Sequence, residues 1–342
     1  MGFIKGLGIN NIQALTQPIS KTLGWVWFLA FVLFIVSFLM LALKNQYWWT
    51  LALIAIIVSQ ILIFSFWQDA KFGSLANLII LFFIVPAIGL SSFNSKLIKE
   101  RDSQSSMIED VSQNKLEDLP ELVQNWLIRT GVLEIDEITS VYLQQEALMK
   151  MKPTQKKWYK ANAEQYFTTY PPSFNWSVKL KMNPFVHIVG RDKFEGGKGE
   201  MVIKLLGVFN IVNVKNNSKI DQSTIQRYLA ETVWFPSAAL SKYIVWEGID
   251  TYSAKATMSY QGVASSGIFY FNEKGEFERF SALRYMSPEK DVEPTEWIVE
   301  AKNNQVLNGV LIPTELEATW KLKEGDWTWL KLKVTKLDYN VY

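Results

Sequence analysis

The chain has 342 residues, a net charge of +2, no Cys and one His, and its composition shifts after about the first hundred residues from Leu, Ile, Phe, Ala and Val to a mixed, charged, aromatic-rich sequence. A charge so small and evenly spread excludes a nucleic-acid footprint. Lack of Cys excludes disulfides, thiolate chemistry and Cys-type zinc sites, and a lone His187 argues against a His-ligated metal or a His-based catalytic pair, so neither metal nor cofactor is expected.

The first element is Gly24–Leu43 (GWVWFLAFVLFIVSFLMLAL), uncharged and, at ~1.5 Å per residue, about as long as a hydrocarbon core is thick. Trp48–Trp67 is a second span of similar length, and a third runs from Leu75 to about Phe93, with Pro86 and Gly89 expected to kink its far end. Trp25, Trp27, Tyr47, Trp48, Trp49 and Trp67 fall where interfacial aromatic belts belong. Gln60 is read as an interhelical hydrogen bond worth about 0.6 kcal/mol, and Asp69 and Lys71 as residues of a short loop that need no partner in lipid. Three successive spans make residues 1–93 a membrane domain rather than a cleaved signal.

Lys5, Lys21 and Lys71 lie on one side of these spans, and Lys44, Lys96, Lys99 and Arg101 on the other, a near balance under the positive-inside rule. The expectation is a multi-pass protein of a bacterial cytoplasmic membrane, with its amino terminus inside and its large domain on the exoplasmic face. Asn94–Asp118 is polar, lacks strand alternation and reads as a juxtamembrane linker, loose or transiently helical.

Residues 119–342 read as a soluble, β-rich domain. Asp118 can cap a short helix whose stripe is Leu119, Leu122, Val123, Trp126 and Leu127 and whose stop is Gly131. From Thr139 the period changes to two: in FNWSVKLKM, Phe174, Trp176, Val178, Leu180 and Met182 alternate with polar residues. Ala254, Ala256, Met258 and Tyr260, then Ala318, Trp320 and Leu322, repeat the pattern, and NEKGE (272–276) and KEGDW (323–327) read as hairpin turns. GRDKFEGGKGEM leads from strand to strand, so its glycines read as a hairpin rather than a phosphate cradle, with Arg191, Asp192 and Glu200 as solvated cross-strand neighbours. His187 reads as a strand residue with a satisfied hydrogen bond.

Asp221 can cap the one long helix of the sheet region, with apolar positions Ile225, Tyr228, Leu229, Thr232 and Val233, while Arg227 and Glu231 stand four apart as a surface ion pair and Pro236 ends it. The fold class is therefore α+β: transmembrane helices followed by a large curved antiparallel sheet, a half-barrel, wrapped on one long helix. Such a sheet can enclose an apolar cavity lined by rings from the aromatic-rich sequence. The candidate ligand-binding residues are Trp176, Arg191, Tyr228, Glu231, Trp234 and Phe235, with the last two and Tyr228 lining or closing the cavity and Arg227 and Glu231 at its rim. Glu164, Glu231 and Asp192 are the only carboxylates weighed for acid–base work, and spacing alone does not bring them together.

The ordered motifs LPELVQNWLIRTG, AEQYF, PPSFNW, GRDKFEGGKGEM, LLG, RYLAETVWFP and VTKLDYNV, spanning Leu119–Tyr342, resemble an uncharacterised bacterial domain family of unknown function found behind membrane helices. LTQPISKTLGW and WQDAKFGS look like the membrane half of relatives from bacteria of the flavobacterial type, which commonly carry one more hydrophobic helix upstream; such a helix would reverse the orientation. The resemblance implies no activity, substrate or catalytic residue. At fold level the half-barrel is similar to lipoprotein carriers, and fold alone does not confer function. The expected partners are the lipid bilayer and a lipid-like ligand, with protein partners unknown, and the expected role is a membrane-anchored module holding an apolar ligand. The alternatives are an interaction domain with a filled core, or a carboxylate-dependent hydrolase.

Overall fold

The computed structural model describes residues 1–10, 12, 15–106, 113–183 and 186–341. The chain forms two compact units, Met1–Ser95 and Lys96–Tyr342.

The first unit is helical: α1 (Gly2–Gly6), α2 (Lys21–Ala42), α3 (Trp48–Ser65), α4 (Trp67–Ala70) and most of α5 (Gly73–Ser105). Ser20 caps α2, its Oγ accepting from the Leu23 amide at 3.3 Å. Helices α2, α3 and α5 are long and apolar enough to cross a membrane, which is consistent with a membrane protein. Gln60 does bond between helices: its amide donates to Ser74 Oγ at 2.9 Å and its carbonyl accepts from Asn77 at 3.0 Å. Asp69, between the second and third spans, accepts from Thr16 Oγ1 and the Gln17 amide at 2.7 and 2.9 Å.

Helix α5 does not stop near Phe93. It holds Pro86 within it and continues to Ser105, because Asn94–Ser105 contains neither Gly nor Pro and carries a helical i,i+4 pair, Lys96 with Glu100 at 3.6 Å. The start of the expected linker is thus helical, and its residues 107–112 lie outside the described residues.

In the second unit a helical turn (Leu116–Asp118) leads to α6 (Glu121–Thr130). Pro120, not Asp118, stands at the N-cap, and Gly131 ends the helix in the left-handed region at φ +74°. Helix α6 buries Val123, Trp126 and Leu127, and Trp126 packs among Trp246, Phe269 and Phe271 with ring centroids 5.5 to 6.2 Å apart.

Six strands follow: β1 (Ser140–Met149), β2 (Tyr159–Thr168), β3 (Ser173–Lys181), β4 (His187–Glu195), β5 (Lys198–Leu205) and β6 (Phe209–Val214). Helix α7 (Ser218–Glu231) then carries the chain to β7 (Ile244–Gly248), β8 (Ser253–Tyr260), β9 (Val263–Phe271), β10 (Phe277–Arg284), β11 (Thr295–Leu307), β12 (Val310–Leu322) and β13 (Gly325–Tyr339). All pairs are antiparallel, and the 13 strands form one sheet in the order β6-β5-β4-β3-β2-β1-β13-β12-β11-β10-β9-β8-β7. The sheet is open, with β6 and β7 as its edges, and α7 is the link between those edges. Because α7 packs on β4 and β5 from one arm and on β8, β9 and β10 from the other, the sheet must curve around it. The α+β expectation holds.

Local chemistry explains the turns. In 272–276, Asn272 Oδ1 accepts from the Lys274 and Glu276 amides at 3.0 Å each, and Gly275 supplies φ +74°. Helix α7 starts a turn earlier than Asp221: Asn217 is its N-cap, accepting from Lys219 and Ile220 amides at 3.0 and 3.2 Å. Asp221 is buried instead against β5, where its carboxylate accepts from the Gly199 amide at 2.8 Å and pairs with Lys198 at 3.0 Å. The helix gives way at Thr232 to short helical turns, Thr232–Trp234 and Pro236–Leu240.

Candidate functional site

On the concave face of the sheet, beneath α7, lies a cavity of about 390 Å³. Strand alternation decides what reaches it. On β3 and β4, Trp176 and Asp192 are paired and both face inward, whereas Arg191, next to Asp192 on β4 and paired with Ser177, must face out. On β10 the inward parity Phe280, Ala282, Arg284 brings a guanidinium to the cavity wall. A bulge in β13 opposite Ala318 and Thr319 lets Trp327 and Leu330, three apart, both face the cavity. Six indoles line it: Trp176, Trp234, Trp297, Trp320, Trp327 and Trp329. Exposed Met151 and Met286 are also in its lining, which marks where it reaches the surface.

A buried polar chain runs behind its wall and reaches the lining at Trp176, Glu231, Arg227 and Asp192. Trp176 Nε1 donates to Gln145 Oε1 at 3.1 Å, Gln145 Nε2 reaches Gln165 at 3.5 Å, and Gln165 Nε2 donates to Glu231 Oε2 at 2.7 Å. Arg227 then donates through Nε to Glu231 and through Nη1 to Asp192, both at 2.8 Å, with its guanidinium 4.6 Å from the Trp176 ring. Arg227 and Glu231 are therefore not a surface pair, because the opposite arm of the curved sheet covers that face of α7. Burial raises the pKa of Glu231, with Arg227 acting in the opposite sense.

That direction carries a pH prediction. The folded state holds the Glu231 proton more tightly than the unfolded chain, so its contribution is full below the ordinary value of 4.5 and is lost as pH rises through the raised folded value. The thermal midpoint of the full chain is expected to fall across that window, and Glu231→Gln is expected to flatten the fall. Equal slopes in both proteins would show that another group sets it.

Arg284 stands across from this chain. Its guanidinium lies 4.5 Å from the Trp297 ring and 5.9 Å from that of Trp320, and its Nε donates to the Ser223 carbonyl at 3.3 Å. Burial, then the nearby Arg227 cation, pushes its pKa down to about 10. Among the described residues no carboxylate lies in salt-bridge range of it.

Of the six candidates from the sequence, Trp176, Glu231 and Trp234 line the cavity and Arg191, Tyr228 and Phe235 do not. Tyr228 and Phe235 sit with Phe167 in a closed ring cluster, at 5.7 Å from each other, and the Tyr228 hydroxyl donates to the Thr168 carbonyl at 2.9 Å. Trp234 holds its place by donating to the Pro313 carbonyl at 3.0 Å.

Arg191 is on the outer face, yet not solvated: it is 2% exposed and is gripped by Glu100 of α5 and by Glu200, while Asn175 donates to Glu100 at 2.9 Å. Burial opposes the Arg191 cation, but the hydrogen bonds to Glu100 and Glu200 outweigh it and its pKa rises. His187 begins β4 with its buried Nε2 lacking a partner among the described residues, and burial lowers its pKa. Glu164, on the outward parity of β2, faces away from Asp192 and Glu231. Arg284, Gln145 and Gln165 were missed, although the FERFSALRY alternation carries the signal for Arg284.

The chain belongs to a family of unknown function, DUF6920, whose model matches residues 117–339. No curated protein matches it. It is similar to the crystal structure of a LolA superfamily protein from Nitrosomonas europaea, at 10% identity and a TM-score of 0.33, covering 64% of this chain and 94% of that one.

Proposed function

We propose that this protein is a membrane-anchored binding module whose Lys96–Tyr342 unit holds an apolar ligand, a lipid or lipid-linked molecule, in the space beneath Trp234. The observation that carries the reading is the indole-lined cavity of about 390 Å³, a size within the roughly 300–1,000 Å³ of small-ligand sites. A core filled by its own side chains packs too closely to leave such a space. The buried polar chain gives the apolar wall the few convergent polar groups that fix a ligand's orientation. The apolar helices act as the anchor and raise the unit's effective concentration near lipid. In this reading the protein is a multi-pass protein of the bacterial cytoplasmic membrane with the unit on the exoplasmic face.

Arg227 engages both Asp192 and Glu231, which leaves a carboxylate-based hydrolase without a free acid and base. The test uses the full chain held in an amphipathic polymer, so that detergent does not fill the cavity. A fluorescent acyl probe is expected to bind at one per chain, and Ala318→Phe, which narrows the cavity from β12, is expected to weaken it by about tenfold or more. No uptake by the wild-type chain would overturn the reading in favour of an anchored interaction domain.

A further inference from the structure

We infer that the ligand is a single-chain amphiphile bearing an oxyanion, a carboxylate or a phosphate monoester, and that Arg284 binds this head inside the cavity while the tail lies against the indoles. The inference deepens the cavity reading above and rests on it.

The two arginines of the cavity are not equivalent. Arg227 is spent on Asp192 and Glu231, each at 2.8 Å. Among the described residues Arg284 makes one hydrogen bond, Nε to the Ser223 carbonyl at 3.3 Å, and its two terminal nitrogens have no partner. A guanidinium presents five donors in a planar fork that matches an oxyanion in a bidentate way, and the free end of this fork faces the cavity from a half-buried residue. Stacking against Trp297 at 4.5 Å holds the plane of that fork without using its hydrogen bonds. The buried indole nitrogens of Trp297, which stacks on Arg284, and of Trp327 and Trp329 also lack acceptors among the described residues, and all three residues line the cavity. The lining therefore offers donors with nothing to accept them, while Met149, Leu316 and Leu332 offer only apolar surface.

The charged residues of the lining, Lys150, Arg227 and Arg284 against Asp192, Glu231 and Glu317, sum to zero, so a net field is not what recruits an anion; the fit is local, at the unpaired fork. Burial also lowers the Arg284 pKa to about 10, which still leaves it a cation at neutral pH. Glu231, whose pKa is raised, is the group of this cluster best able to take up a proton as the anion enters.

The experiment titrates the polymer-held full chain with laurate, dodecyl phosphate and dodecanol as competitors of the acyl probe. Both anions are expected to bind about tenfold to a hundredfold more tightly than the alcohol, the usual worth of charge-assisted hydrogen bonds. In Arg284→Met, which keeps an unbranched side chain between Trp297 and Trp320, that ratio is expected to fall to near one, the anions losing more affinity than the alcohol; Arg284→Lys is expected to recover part of it. Should the methionine variant not fold, the wild-type ratio and the lysine variant still decide the matter. Equal wild-type affinity for anion and alcohol overturns the head-group assignment and leaves the cavity reading standing. Binding of none of the three overturns the cavity reading itself. Displacement of laurate by millimolar inorganic phosphate would instead mark a site for a free anion, and would also overturn the amphiphile.

Discussion

Arg191→Leu is expected to lower the stability of the Lys96–Tyr342 unit by about 3–5 kcal/mol, the usual cost of removing one partner from a buried ion pair. Arg191 is 2% exposed on the outer face of β4, and it separates two carboxylates, Glu100 and Glu200, with side chains only 14% and 30% exposed. Without the guanidinium these acids face each other, with only the Asn175 amide and the exposed Lys96 left against Glu100 among the described residues. Thermal unfolding of the full chain measures the loss, and Arg191→Leu combined with Glu100→Leu is expected to recover part of it, since an apolar pair leaves less charge unpaired. Because Arg191 points away from the cavity, the variant is expected to bind the acyl probe at low temperature within about twofold of wild type. A change as large as that of Arg284→Met would return Arg191 to the binding site.

Gly267→Ala is expected to destabilise the unit by about 3 kcal/mol, at the upper end of the cost of overpacking. Gly267 faces inward on β9, and an added Cβ would stand 2.0 Å from Cζ of Phe280. That ring cannot retreat, being wholly buried with Phe269 at 5.0 Å and Trp297 at 6.0 Å. Pairing the change with Phe280→Leu is expected to return much of the loss, because the branched side chain vacates the far end of the ring. If the single variant melts with the wild type, the ring is mobile and the core around it looser than its packing suggests.

Period-two alternation in the β-rich part made the sheet legible, because a strand with one buried face shows its parity in every second residue. Part of the aromatic lining was legible for the same reason: Trp176 and Trp320 are inward by parity alone. The fate of Arg191 was not. Its outer face looked wet because nothing in the strand pattern reveals that the last turns of α5, which runs on past the expected end near Phe93 to Ser105, supply Glu100. Arg227 and Glu231 were misread for a related reason, since helical spacing gives their mutual distance but not the second sheet arm that covers them. Tyr228 and Phe235 are bulky and apolar like the lining residues, and only the register of β2 and β3, which brings Phe167 and Phe174 beneath them, sends them into the closed core.

The sheet is joined at its centre by the ends of its own sequence: Val141 of β1 pairs with Tyr339 of β13. During synthesis the two arms can each zip up by successive hairpins, since their partners are neighbours in the chain. The keystone strand is made last. Until it emerges, β1 and β12 are both raw edges, open to the wrong partner. A chain shortened by a score of residues at its carboxy terminus therefore does not lose a peripheral strand; it loses the seam, and the two arms are left to aggregate separately.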